Sequence, residues 1–147
     1  MKRSGIQNRK LSEMVAKMGH GDMILIGDVG CPFPAHDLTE VIDLAVTDGI
    51  PKVEEVLAAV MSELVVESYI VSKETKEVNP EHYKTFTDII HSYDNKGNKI
   101  KEKVMDHYPV KDLWLTGALE GEQVKAFVRT GERSPYAYIV LVAGVDF

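Results

Sequence analysis

Four apolar residues, Met23-Ile24-Leu25-Ile26, stand between two polar clusters, Gly19-His20-Gly21-Asp22 on one side and Asp28-Val29-Gly30 on the other. The run reads as a buried strand with polar groups at both its mouths. Backbone rise then limits which of those groups can cooperate. Six residues of strand place Asp28 about 20 Å along from Asp22. The two carboxylates therefore share one site only if the chain folds back or a second subunit contributes.

The rest of the chain alternates between periods near 2 and near 3.6. Leu11, Met14, Val15 and Met18 share one helical face, and Gly19 is placed to end that helix. After the strand from Met23 to Asp28, Cys31-Pro32-Phe33-Pro34 reads as a rigid extended loop, and Val41 to Val46 as a second strand. Pro51 opens a helix to about Leu64 with Val53, Val56, Leu57, Val60 and Met61 on one stripe, and a strand follows at Val65 to Val71. Asn79-Pro80 caps and starts a helix through His91, Asp94 to Asn98 is a turn by composition, and Val110 to Leu119 is helical. Two strands close the chain, Gln123 to Arg129 and Tyr138 to Val142, around the turn-forming Gly131-Glu132-Arg133-Ser134-Pro135. Such alternation predicts an α/β fold, a central sheet with helices on both faces. The 147 residues, without repeat or linker, are expected to form a single domain.

Composition removes several function classes. At 44% hydrophobic and 27% charged residues the chain has the makeup of a globular domain. A net charge of −6 argues against nucleic acid or an anionic membrane surface as partner, since both require clustered cations. Lys96, Lys99, Lys101 and Lys103 are a local exception, and their spacing suits a solvated edge strand that resists edge pairing. One cysteine, Cys31, excludes an internal disulfide, no apolar run has the length of a membrane span, and the residues after Met1 are charged, so a cytoplasmic location is expected.

Phosphate-binding glycine loops, a Gly-x-Ser-x-Gly elbow and a Cys-x-x-Cys pair are all missing. What falls at strand ends and loops instead is an acid/base and hydrogen-bonding set: His20, Asp22, Asp28, His107 and the Ser134-Pro135-Tyr136 turn. Each has a bland reading beside the sharp one. His20 follows a helix and would bond its free carbonyls, Asp22 and Asp28 beside glycines would hold turns, and Trp114 and Tyr108 would serve packing. Cys31 reads as a small filler, and His36, His82 and His91 receive no role.

The run Gly19-His20-x-Asp22, then Asp28-x-Gly30-x-Pro32-x-Pro34, then Ile42-Asp43-x-Ala45 and Gly49-x-Pro51, resembles the D-ribose pyranase and L-fucose mutarotase family. The stretch Val128-Arg129-Thr130-Gly131-Glu132-x-Ser134-Pro135-Tyr136-Ala137, with Ala143-Gly144-Val145 and Phe147 after it, is most similar to the pyranase branch. Asp43, Glu67 and Asn79-Pro80 also match, so the resemblance covers nearly the whole chain.

The resemblance implies that family's fold and a cofactor-free, metal-free isomerase that opens and recloses the ring of an aldose, ribose above all. It implies His20 as the proton donor, and Asp28, His107 and the segment Tyr136, Ala137 and Tyr138 as sugar contacts. Asp106 is the alternative beside His107. It further implies a homo-oligomer, a decamer in the best-known members, with each site completed by a neighbouring subunit. One departure bears on the sugar: the family usually has Asn where this chain has Tyr138, replacing an amide with one hydroxyl and a large ring. Two readings from other classes stay open: a metal enzyme using His20, an aspartate and His107, and a sugar-binding protein without turnover.

Overall fold

The computed structural model describes residues 1–95, 97–116 and 124–147. Its core is a six-stranded mixed sheet built from β1 (Met23–Gly27), β2 (Glu40–Asp43), β3 (Val66–Ser72), β4 (Lys101–Met105), β5 (Val124–Arg129) and β6 (Ile139–Ala143), in the order β2-β5-β1-β6-β3-β4. The α/β expectation holds. The helices are α1 (Arg9–Lys17), α2 (Val53–Met61), α3 (Lys73–Val78), α4 (Pro80–His91) and α5 (His107–Leu115).

Strand direction decides where polar ends collect. β1 runs parallel to β5, β5 to β2 and β3 to β4, while β6 is antiparallel to both β1 and β3. Every strand except β6 therefore points the same way. The carboxyl ends of five strands gather at one edge of the molecule together with the start of β6, and the amino ends gather at the other with its finish.

Side-chain alternation sorts the core into two faces. Ile24 and Ile26 of β1 join Tyr69, Val71, Val128, Ile139 and Leu141 under α1, α2 and α4. Met23 and Leu25 join Ile70, Phe127, Tyr138, Val140 and Val142 under α5. All five residues of β1 are buried, as a strand covered on both sides requires.

Several boundaries differ from the sequence reading. β2 ends at Asp43 rather than Val46, because Leu44 to Pro51 folds into a tight turn in which Gly131 is wedged. Pro51 stands outside α2: Lys52 is the N-cap, and its backbone N–H donates to the Glu55 carboxylate at 2.8 Å. α2 closes at Met61, three residues short of Leu64. α5 begins at His107, not Val110, and β6 begins after Tyr138. α3 was not expected at all, since only Thr75 of its six residues is buried and no apolar period marks it. The lysine-bearing stretch is an edge strand from Lys101 onward, with Lys101 and Lys103 exposed on β4 and Lys99 ahead of it. Lys96, the expected helix end at Leu119 and the expected strand start at Gln123 lie outside the described residues. Among the described residues no helix is long and apolar enough to cross a membrane.

Candidate functional site

Beyond the carboxyl ends of β1, β3 and β4 lies a cavity of about 270 Å³ lined by Asp28, Cys31, His107, Trp114, Tyr136 and Tyr138 among others. Its volume lies just below the roughly 300–1,000 Å³ of drug-sized ligand pockets, so it admits a small molecule. The fold explains the gathering. Asp28 follows β1 directly, His107 is the first residue of α5 after β4, and Tyr136 to Tyr138 lead into β6, which starts where the other strands end. Tyr138 shares its face with Val140 and Val142, the face that α5 covers, and so meets His107.

The Tyr138 hydroxyl and His107 Nδ1 are 2.6 Å apart. The Tyr138 ring also packs against Trp114, with centroids 5.7 Å apart, and burial pushes its phenol above the ordinary tyrosine range. Tyr136 stands edge-on to His107 at 5.2 Å. Trp114 is only 1% exposed and its indole N–H donates to the Pro32 carbonyl at 3.0 Å. It is thus both packing and cavity wall, whereas Tyr108 is an exposed side chain.

Asp28 does hold a turn, accepting the Gly30 N–H at 2.8 Å. Burial raises its carboxyl above the usual aspartate value, against the lowering effect of bonds from Gly30 and Cys31. The Cys31 thiol is pushed far up by burial first and by the Asp28 charge second, so it stays protonated. A buried neutral thiol fits the filler role.

Tyr136 adopts φ 55°, the left-handed region that a non-glycine residue enters at a cost. Three side chains hold it there. Thr75 Oγ1 donates to the Tyr136 carbonyl at 2.9 Å, Asn79 Nδ2 donates to the Pro135 carbonyl at 3.0 Å, and Ser72, at 2.9 Å, bonds Thr75. Asn79 was expected to cap α4, but its side chain makes no cap bond and reaches across to this loop. On the same loop Glu132 Oε1 accepts from the backbone of Arg133 and Ser134 and from the Ser134 hydroxyl. Sequence reasoning missed this clamp because α3 has no apolar signature; Ser72 ahead of a polar hexapeptide was the only available signal, an N-cap.

His20 lies elsewhere. It stands near the amino end of β1, where Gly21 N–H donates to the Ala143 carbonyl at 2.9 Å, and its Nε2 is 3.0 Å from Glu67 Oε2. Its partner is thus a carboxylate on β3 rather than a carbonyl of α1. The side chains of this pair are 60% and 46% exposed. Glu67 borders a second concavity of about 870 Å³, formed with Tyr93, the residues before β4 and the tail at Val145 to Phe147. Asp22 accepts the Gly19 N–H and lies 3.8 Å from Lys125. One chain therefore brings Asp28, His107, Tyr136, Ala137 and Tyr138 to one end and His20 to the other. His20 and His107 of one chain do not form one metal-ligand set. The described residues that could hold a cation are Glu54, His82 and Glu132, whose ligand atoms lie within 4.8 Å of one another. His82, which receives no role from the sequence, is largely covered and lies 3.4 Å from Glu132.

Three comparisons bear on this geometry. The sequence matches the profile of the RbsD / FucU transport protein family over residues 1–146. It is 40% identical over 147 residues, all of both chains, to the D-ribose pyranase of Clostridium perfringens strain SM101. It is 38% identical, again end to end, to that of Pseudomonas fluorescens Pf0-1. The structure superposes on Bacillus subtilis RbsD complexed with D-ribose with a TM-score of 0.84 at 33% identity, covering all of both chains. The Streptococcus pneumoniae fucose mutarotase in complex with L-fucose has a TM-score of 0.75 at 21% identity, a likeness of fold.

Proposed function

Because this chain belongs to the RbsD / FucU transport protein family, we propose that it is a sugar mutarotase that interconverts the pyranose and furanose forms of D-ribose. The observation that carries the reading is the cavity in which Asp28, His107, Tyr136 and Tyr138 meet, on a chain alike from end to end to D-ribose pyranases.

The chemistry needs no group beyond side chains. Opening a cyclic hemiacetal takes the proton from the anomeric hydroxyl and delivers one to the ring oxygen; reclosure on another hydroxyl reverses both transfers. His20 is the proton donor, since imidazole can give and take a proton near neutral pH. Asp28 and His107 hold sugar hydroxyls, Tyr136 walls the ring, and the Ala137 and Tyr138 segment shapes the floor. His20 must then come from a second subunit, because within one chain β1 separates it from Asp28 by about 20 Å. The protein works as a homo-oligomer, a decamer in this reading, with each site shared by two chains. A cytoplasmic location belongs to the same proposal.

Exchange NMR on anomeric protons, with D-ribose and L-fucose, tests it. Accelerated pyranose–furanose exchange of ribose is expected. Acceleration of fucose alone would move the substrate, and binding without acceleration of any sugar would make this a binding protein.

A further inference from the structure

Tyr138 lines the cavity, yet its hydroxyl is turned to His107. We propose that Tyr138 is a positioning residue: its hydroxyl donates to His107 Nδ1, fixes the imidazole with its hydrogen on Nε2, and so presents an N–H donor to a sugar oxygen. The ligand half of this inference rests on the cavity being the sugar site.

Three observations carry it. Tyr138 is 1% exposed and its ring is held against Trp114 on the face under α5, so its hydroxyl is turned to protein, to His107 and Ser72, rather than to solvent. The separation of 2.6 Å is at the short end for a hydrogen bond. A phenol is a better donor than a neutral imidazole N–H, and an imidazole nitrogen a better acceptor than a phenol oxygen, so the strong arrangement has the tyrosine donating.

The one alternative acceptor for the phenol among the described residues is Ser72 Oγ, and its other bonds weaken its claim. The Tyr136 carbonyl can only accept, so Thr75 Oγ1 donates to it, and the Ser72 hydroxyl must then donate in its bond to Thr75 Oγ1. Ser72 Oγ in turn accepts the Thr75 N–H. The phenol hydrogen could go to Ser72 Oγ only as a third bond on a hydroxyl that already donates to Thr75 Oγ1 and accepts the Thr75 N–H, whereas His107 Nδ1 is 2.6 Å away with no other partner among the described residues. Nε2 has no partner among the described residues, and Tyr108 and Tyr136 stand edge-on to the ring at 5.5 Å and 5.2 Å. The imidazole is thus fixed on three sides with its second nitrogen free.

Tyr138 lines the floor of the cavity with its ring, not with its hydroxyl. Its hydroxyl acts at one remove, through His107, and its ring sets the depth of the cavity.

The test is long-range proton–nitrogen correlation NMR on protein carrying 15N-histidine, for the wild type and Tyr138→Phe, with His107→Gln to assign the resonances. Thermal unfolding checks that the variants fold, and each is titrated with D-ribose. The wild type should show His107 protonated at Nε2, with Nδ1 bare and hydrogen-bonded. In Tyr138→Phe the Nδ1 resonance should move to the free position, and KM for ribose should rise about fivefold with kcat changed less than about twofold, the worth of one oriented hydrogen bond. Should Tyr138→Phe fail to fold, the wild-type tautomer alone decides. A wild-type ring protonated at Nδ1 overturns the proposal and leaves the sugar reading intact, as does an Nδ1 resonance and KM unmoved by Tyr138→Phe. The stated tautomer with no response to any sugar overturns the ligand half together with the sugar reading.

Discussion

At the carboxyl end of β1, Asp28, His107, Tyr136 and Tyr138 are packed among Trp114, Cys31 and the Ser72–Thr75–Asn79 clamp, and the bonds from Tyr138 to His107, Thr75 to Tyr136 and Asn79 to Pro135 each cross from one element to another. At the amino end His20 stands 60% exposed with Glu67 as its partner. Burial and cross-element bonding pre-orient the first set, which suits groups that must recognise a shape. The second set is held loosely by its own chain, which suits a group completed by another surface. The proposed site uses both ends and so calls for two subunits, because a strand keeps its two ends apart.

The sharpest way to break that contrast is subunit mixing. His20→Ala and Asp28→Asn should each fold and each lose roughly a hundredfold to ten-thousandfold in ring-form exchange. Mixed one to one with subunit exchange, they should recover about a quarter of the wild-type rate, since one shared site in four pairs two intact halves. Failure to recover any rate in verified mixed oligomers would place His20 and Asp28 in separate functions.

Stability should follow the same division. Trp114→Ala empties the most bulky buried position at the cavity end and should cost about 3–5 kcal/mol in denaturant unfolding, whereas His20→Ala should stay within about 0.5 kcal/mol of wild type. Equal losses would show that the amino end is as tightly built as the other. Gly131 belongs with the costly positions: a Cβ there would lie 2.4 Å from the carbonyl oxygens of Thr47 and Ile50. Thr75→Val removes the bond that holds Tyr136 at positive φ, and should cost roughly 1–3 kcal/mol while raising KM more than it lowers kcat.

Acidity supplies a smaller effect. Burial alone would raise the Glu132 carboxyl, but bonds from Ser134, His82 and Arg133 outweigh it and hold the group below the ordinary glutamate value. The folded state then resists protonation more than the unfolded one. Its stabilising contribution is full above the unfolded value of 4.5 and is lost as pH falls through the lower folded one. Glu132→Gln should flatten the acid limb of a pH-stability curve, and an unchanged limb would remove this assignment. Smallest of all, Glu67→Gln should change stability by under about 1 kcal/mol, since its pairing with His20 is exposed; a larger change in melting temperature would mean that the pair is structural.

Elements with strong apolar periods were legible from the sequence to within a few residues, as for β1, α1 and α4. The lysine pattern of β4 also announced an edge, because alternating cations resist further pairing. α3 was not legible, since it has one buried residue and, apart from its Ser72 cap, is held by the loop it clamps at Tyr136, which is remote in sequence. Of the cavity residues, Asp28, His107, Tyr136 and Tyr138 were readable as candidates, while Trp114 and Cys31 read as packing. Their grouping was not readable, because it depends on β6 running against its neighbours.

The sequence by itself determined the polar groups at the mouths of β1, the alternation that makes a covered sheet, and the distance that keeps Asp22 and Asp28 apart. These are local properties of spacing and side-chain chemistry. Only the tertiary structure decided that His107 meets Tyr138, that Asn79 reaches the Pro135 carbonyl instead of capping its helix, and that His20 pairs with Glu67. Each of those depends on which strands are neighbours and in which direction they run, and long-range pairing is settled by the packing of the whole sheet.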